Sequence, residues 1–117
     1  MADMTPELKQ AYRQEMALAR SHFERREYAP AFRHFERAHI LGQRFALPHA
    51  HTHLWMLRVG LARRDLREIL GQLARIAAAL AFSRIWVPIG NTGGANVSAL
   101  QPMAVPEDLR GLLEASQ

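Results

Sequence analysis

Pro48-His49-Ala50-His51-Thr52-His53-Leu54-Trp55-Met56-Leu57-Arg58-Val59-Gly60-Leu61-Ala62-Arg63 decides the fold. Wound as a helix, this stretch is apolar nearly all round, through Leu54, Trp55, Met56, Leu57, Val59 and Leu61. His51 and Arg58 mark its one polar strip. Such a helix needs neighbours on several sides, so it is placed centrally. Directly after it, Asp65-x-x-Glu68 reads as a capping box. It opens a further helix with the stripe Ile69, Leu70, Leu73, Ile76 and Leu80.

Upstream, two more helices are legible. Thr5-Pro6-Glu7 supplies an N-cap and a proline at the first helical position. That helix runs to about Glu27 with the stripe Leu8, Ala11, Tyr12, Ala19 and Phe23. The next starts near Ala29-Pro30, ends near Gly42, and turns Ala31, Phe32, Phe35 and Ala38 inward. Connections of a few residues force successive helices to run antiparallel.

Glu27-Tyr28-Ala29-Pro30-Ala31, Phe35 and Ala38 fall in register with Asp65-Leu66-Arg67-Glu68-Ile69, Leu73 and Ile76. The offset is within reach of the tetratricopeptide spacing, although no glycine precedes Tyr28 or Leu66. The chain therefore reads as all-α: two antiparallel, tetratricopeptide-like helical hairpins over residues 1–82. From Phe82 the helical period stops. Residues 83–117 form an extended, partly helical C-terminal extension packed on the same domain. It holds the glycine-rich Asn91–Ser98 loop and a short helix from Pro106-Glu107-Asp108 through Leu109, Leu112 and Leu113. Two hairpins leave apolar surface over, so a homodimer is expected.

The chain has 117 residues, no cysteine, six histidines and fifteen basic against eleven acidic side chains. One core without disulfides fits that length. Thiolate metal sites, thiol redox chemistry and a disulfide-stapled scaffold are excluded. No apolar run suits a membrane span, and the acidic start argues against a secretory signal, so a cytoplasmic location is expected. All cations but Lys9 are arginine. They interleave with acids, without a reading helix or an aromatic platform, so no nucleic-acid partner is expected.

All six histidines lie between His22 and His53. His39 is four residues after Phe35 and faces the core; His49 and His53 are one turn apart on the face that continues to Met56. Pairing the second and third helices around the Arg44–Leu47 loop sets His39 level with His53 and His49 one turn nearer the loop. The same construction sets Glu15 near Leu41. Three imidazoles with Glu15 or Glu36 suit one divalent transition metal such as Zn, Ni, Co or Fe. Glu36-x-x-His39 has the spacing used in di-metal bundles, but lacks a second copy. The competing reading is a set of hydrogen-bonded core histidines, with Glu15 paired to His22, His39 or an arginine. His51 points away from His49 and His53, so the His-x-His-x-His run cannot hold one ion.

Other features carry less. Arg13, Arg20 and Arg58 would line a concave face able to take an acidic peptide or another protein, against the plainer reading of a solvated surface. Gly90-Asn91-Thr92-Gly93-Gly94 lacks the Gly-Lys-Ser/Thr of a phosphate loop; its glycines read as tight turns against the helices, with Asn91 capping backbone groups. No serine has an activating context. A metalloenzyme would need an open coordination position and a carboxylate base.

Ala38-His39-Ile40-Leu41-Gly42-Gln43, His49 and His53 with Trp55–Gly60, and Val87-Pro88-x-Gly90-Asn91-Thr92-Gly93-Gly94-Ala95-Asn96-Val97-Ser98 together resemble the bacterial family known as domain of unknown function 3703. The resemblance covers nearly the whole chain. It implies no activity; through an association with heavy-metal resistance genes it favours the metal reading. His39, His49 and His53 fall within the family-like segments, and His22, His34 and His51 do not clearly do so.

Overall fold

A computed structural model describes residues 4–83 and 86–116. Five helices follow one another: α1 (Pro6–Glu24), α2 (Tyr28–Gly42), α3 (Ala46–Arg63), α4 (Leu66–Phe82) and α5 (Glu107–Ala115). Among the described residues there is no strand, and no helix is long and apolar enough to cross a membrane. The expected all-helical class holds. α1 pairs with α2 and α3 with α4, and the two hairpins meet through α2 and α3.

The helix ends follow local chemistry. Thr5 Oγ1 accepts the Leu8 amide at 3.2 Å, and Pro6 sits where an amide hydrogen would have no helical partner anyway. α3 begins two residues before Pro48, which is tolerated for the same reason in the first turn. Asp65 caps α4 by accepting from the Glu68 amide at 3.1 Å. The expected box stays half-made: the Glu68 carboxylate turns instead to Gln72 Nε2 (2.6 Å) and the Ala95 amide (3.0 Å).

The internal repeat is visible in the backbone. Both hairpins are joined to their second helix through an arginine in the left-handed region, Arg26 at φ 60° and Arg64 at φ 56°. Each turn is closed by the same bond, from Glu27 N to His22 O and from Asp65 N to Gly60 O, both 2.9 Å. This is the usual helix-ending motif with arginine standing where glycine would relieve the Cβ clash. The first helix thus stops at Glu24, short of Glu27.

Leu8, Tyr12, Met16 and Ala19 from α1, Ala31, Phe35, Ala38 and Leu41 from α2, and Met56 and Val59 from α3 form the core, with Leu109 of α5 docked on it. Gly42 lets α2 approach closely: a Cβ there would stand 3.0 Å from the Tyr12 ring and 3.1 Å from Pro48. Tyr12 Oη donates to Pro48 O at 3.0 Å across this junction. Arg37 ties α5 down through Asp108.

α4 is rotated about its axis away from its expected packing. Gln72 and Ala79 are buried, whereas Leu66, Leu70, Leu73 and Leu80 are 52–65% exposed. Ile69 and Ile76 are half-buried at the edge. The stripe Glu68, Gln72, Arg75, Ala79 faces inward because polar partners wait there: a histidine, two loop carbonyls and a loop amide. α3 is flanked on two sides and keeps Leu54 and Leu61 at its outer surface.

A left-handed non-glycine residue costs about 1–2 kcal/mol, of which glycine's greater chain entropy returns about half. Arg64→Gly is therefore expected to raise the melting temperature by a few degrees, read by circular dichroism. A drop would mean that this turn is not left-handed.

Candidate metal centre

His39 lies in the last turn of α2, and His49 and His53 one turn apart on α3, opposite it. All three are buried, at 2%, 8% and 2% exposure. Their Nε2 atoms converge: His39–His49 at 2.9 Å, His39–His53 at 3.1 Å and His49–His53 at 3.1 Å. Among the described residues this is the group of three whose possible metal-donor atoms lie within 4.8 Å of one another.

The outward ring nitrogens decide the tautomers. His39 Nδ1 meets the carbonyl of Asn91 at 2.8 Å, an acceptor only, so it carries the proton and donates. His53 Nδ1 meets Gln72 Oε1 at 2.6 Å. That amide is oriented independently, because Gln72 Nε2 faces two acceptors, Glu68 Oε2 at 2.6 Å and Gly93 O at 2.9 Å. His53 therefore also carries its proton on Nδ1. Two bare Nε2 lone pairs confront each other at 3.1 Å. A proton on His49 Nε2 can donate fully to one of them, which leaves the other without a proper donor.

Charge does not relieve this. Burial pushes the His49 imidazole down to about 4 and that of His53 to about 3, and pushes His39 well below the usual value. The rings also depress one another and feel the Arg75 cation. At neutral pH all three are uncharged, the state in which imidazole binds metals.

The supports come from the C-terminal extension and α4. Asn91 is buried; its Nδ2 donates to Ser98 O and Gln101 O, both at 2.7 Å, and its Oδ1 accepts from the Gly93 amide at 2.9 Å. It holds the loop closed over His39. Gly93, at φ 84°, lies against the His39 ring: a Cβ there would come within 2.6–2.9 Å of it. Gln43 Nε2 donates to Pro88 O at 2.9 Å and pins the entry to the loop. Carbonyl and amide partners on the outer ring nitrogens are the usual means of orienting metal-binding histidines.

The other expected ligands are elsewhere. Glu15 accepts from His34 Nδ1 at 2.7 Å and from Arg37 Nε at 2.8 Å. α1 and α2 pair so that Glu15 is level with His34 and Arg37, one turn short of the expected Leu41, and its carboxylate is taken up there. Glu36 stands outside the three-histidine group, with burial pushing its carboxyl up. His22 stacks on His34 with ring centroids 5.6 Å apart and meets Glu27 at 3.0 Å. Arg20 and Arg58 lie over Trp55, at 5.3 and 4.4 Å from its ring centroid, and Trp55 Nε1 donates to His51 Nε2 at 3.2 Å. Arg13 is exposed on α1.

Sequence reasoning did not single out Gln72, and gave Asn91 only a backbone-capping part. Gln72 had one available signal: a lone polar residue four before Ile76 and three after Ile69.

Fold and site together define an all-helical protein built around a buried three-histidine cluster. The chain belongs to the family described as a protein of unknown function, DUF3703, whose sequence profile matches residues 6–113. No curated protein and no solved structure matches it.

The depressed imidazoles make stability depend on pH. Unfolded histidines take up protons near pH 6.5, while the folded ones do so only below about 4 and about 3 for His49 and His53. Between those limits the unfolded state binds more protons, so stability is full above about pH 7 and falls as pH drops toward 4. The chelator-treated protein is expected to melt several degrees lower at pH 5 than at pH 7.5, with a smaller difference in His53→Gln. Equal differences in both proteins would rule out the assignment.

Proposed function

We propose that this is a metal-binding accessory protein that holds one divalent transition ion on His39 Nε2, His49 Nε2 and His53 Nε2. One observation carries the reading: three neutral, buried imidazoles aim Nε2 at one point, with two outer nitrogens committed to protein acceptors. A cation at that point would satisfy all three lone pairs at once. Metal–nitrogen bonds of about 2.0–2.1 Å put ligands on an octahedral face about 2.9 Å apart, and on a tetrahedral face about 3.3–3.4 Å apart. The spacings of 2.9–3.1 Å lie nearer the former. Ni²⁺, Co²⁺ and Fe²⁺ suit that geometry, and Zn²⁺ needs only a few tenths of an ångström of spreading. With three protein ligands the ion keeps positions for water or another ligand.

A protein-interaction role for Arg13, Arg20 and Arg58 has less support. Arg20 and Arg58 are already stacked on Trp55, which reduces what they offer an acidic peptide.

The test is isothermal titration of untagged, chelator-treated protein with Ni²⁺, Co²⁺ and Zn²⁺, and anaerobically with Fe²⁺. One ion per chain is expected, with a gain of about 2.7 kcal/mol in stability when free metal is a hundredfold above Kd. His39→Ala and His53→Ala should each remove binding, while Glu15→Gln should retain it. Absence of heat and an unmoved melting temperature with all four ions would sink the proposal.

A further inference from the structure

A cavity of about 320 Å³ reaches the histidine cluster, large enough for a small organic molecule. His39, His49 and His53 form part of its wall. The remainder is mostly apolar, with the exposed Phe82, Trp86 and Leu100 and the buried Val87, and with Arg75 and Ser83 among its few polar members. No described lining residue carries a carboxylate.

The charges around this cavity are unbalanced once an ion is bound. Three neutral imidazoles leave the ion's two charges uncompensated, and the Arg75 cation, only partly offset by Glu68, lies near enough to act on His39 and His53. Arg75 makes no ion pair among the described residues; its Nη2 donates to Val97 O at 3.0 Å. The nearest relayed carboxylate, Glu68, reaches the cluster only through the Gln72 amide and is occupied by that amide and the Ala95 backbone. Net positive charge beside a mostly apolar wall favours an anion.

We infer that the cavity binds a small carboxylate with an apolar substituent: the carboxylate takes the ion's open side within reach of the Arg75 charge, and the substituent lies against Phe82, Trp86 and Leu100. This inference rests on the metal reading above and adds the class of ligand. The probe is the Co²⁺-loaded protein, whose visible spectrum reports ligand exchange at the ion, titrated with benzoate and with acetate. Benzoate should change the spectrum saturably, at concentrations about tenfold below acetate, a difference worth about 1.4 kcal/mol. Phe82→Ala, at an exposed position, should narrow that difference. Arg75→Met should keep one Co²⁺ per chain and weaken both anions about tenfold or more. Co²⁺ bound but indifferent to both anions, or equal affinity for the two, overturns the carboxylate inference and leaves the metal reading standing. Failure to bind Co²⁺ overturns both.

A separate observation concerns α4. Leu66, Leu70, Leu73, Ala77 and Leu80 are spaced 4-3-4-3, the seam of a helix that packs on another helix, and every leucine in it is more than half exposed. The only charge between Ile69 and Phe82 is Arg75, which bonds inward to Val97. We propose that a second copy of this chain covers the seam, with α4 antiparallel to its mate about a two-fold axis at Leu73. Antiparallel pairing sets Leu66 against Leu80 and keeps the two Arg67 side chains about 18 Å apart, whereas parallel pairing would set them together. Leu54 and Leu61 of the neighbouring α3 are also exposed and add apolar surface, and a stable interface covers roughly 800 Å² per partner.

Sedimentation should show a dimer at micromolar concentration, and Leu70→Glu with Leu73→Glu should give a folded monomer with the same helicity. Because the chain has no cysteine, Leu73→Cys should oxidise to a covalent dimer while Leu66→Cys should not. A monomeric wild type, or ready cross-linking of Leu66→Cys, overturns the arrangement.

Discussion

The confrontation of imidazole nitrogens at 2.9–3.1 Å in a buried interior is the constraint around which the rest of the molecule is arranged. Three uncharged rings cannot hold that geometry by mutual attraction. Their outer nitrogens are therefore gripped by Asn91 O and Gln72 Oε1, and those partners are gripped in turn. Gln72 is fixed between Glu68 and Gly93; Asn91 is fixed by Ser98, Gln101 and Gly93. The C-terminal extension thus completes a polar cage that the helices alone leave open on one side.

This requirement explains the orientation of α4. A helix with a strong leucine stripe ordinarily turns it inward, because each buried leucine contributes about 1.5–3 kcal/mol. Here the inner side has to supply Glu68, Gln72 and Arg75 to a histidine and to loop backbone groups that would otherwise be buried without partners. Leaving such groups unpaired costs as much as a leucine gains, and a second copy can still cover the leucines.

Much of the fold was legible in local pattern. Thr5-Pro6 and Asp65 mark real helix starts, and the repeat register reappears as the paired left-handed arginines Arg26 and Arg64. The convergence of His39, His49 and His53 was legible from helical spacing and one short loop, because both fix the level of facing residues to within a turn. Glu15 was misplaced by the same method: a one-turn error between α1 and α2 put it beside Leu41, whereas it meets His34 and Arg37. A turn is about 5.4 Å, enough to move a carboxylate out of any coordination sphere.

By itself the sequence determined the helices, their order, the exclusion of thiolate chemistry and the three imidazoles that face one interior point. These follow from periodicity, caps and composition, which act over a few residues. Tertiary structure decided which groups hold those imidazoles, which side of α4 is inside, and that a cavity opens beside the cluster. Each of these depends on bringing residues of the 88–101 segment against α2 and α4. Such contacts are set by which buried polar groups find partners across the whole chain, a condition that no local pattern encodes.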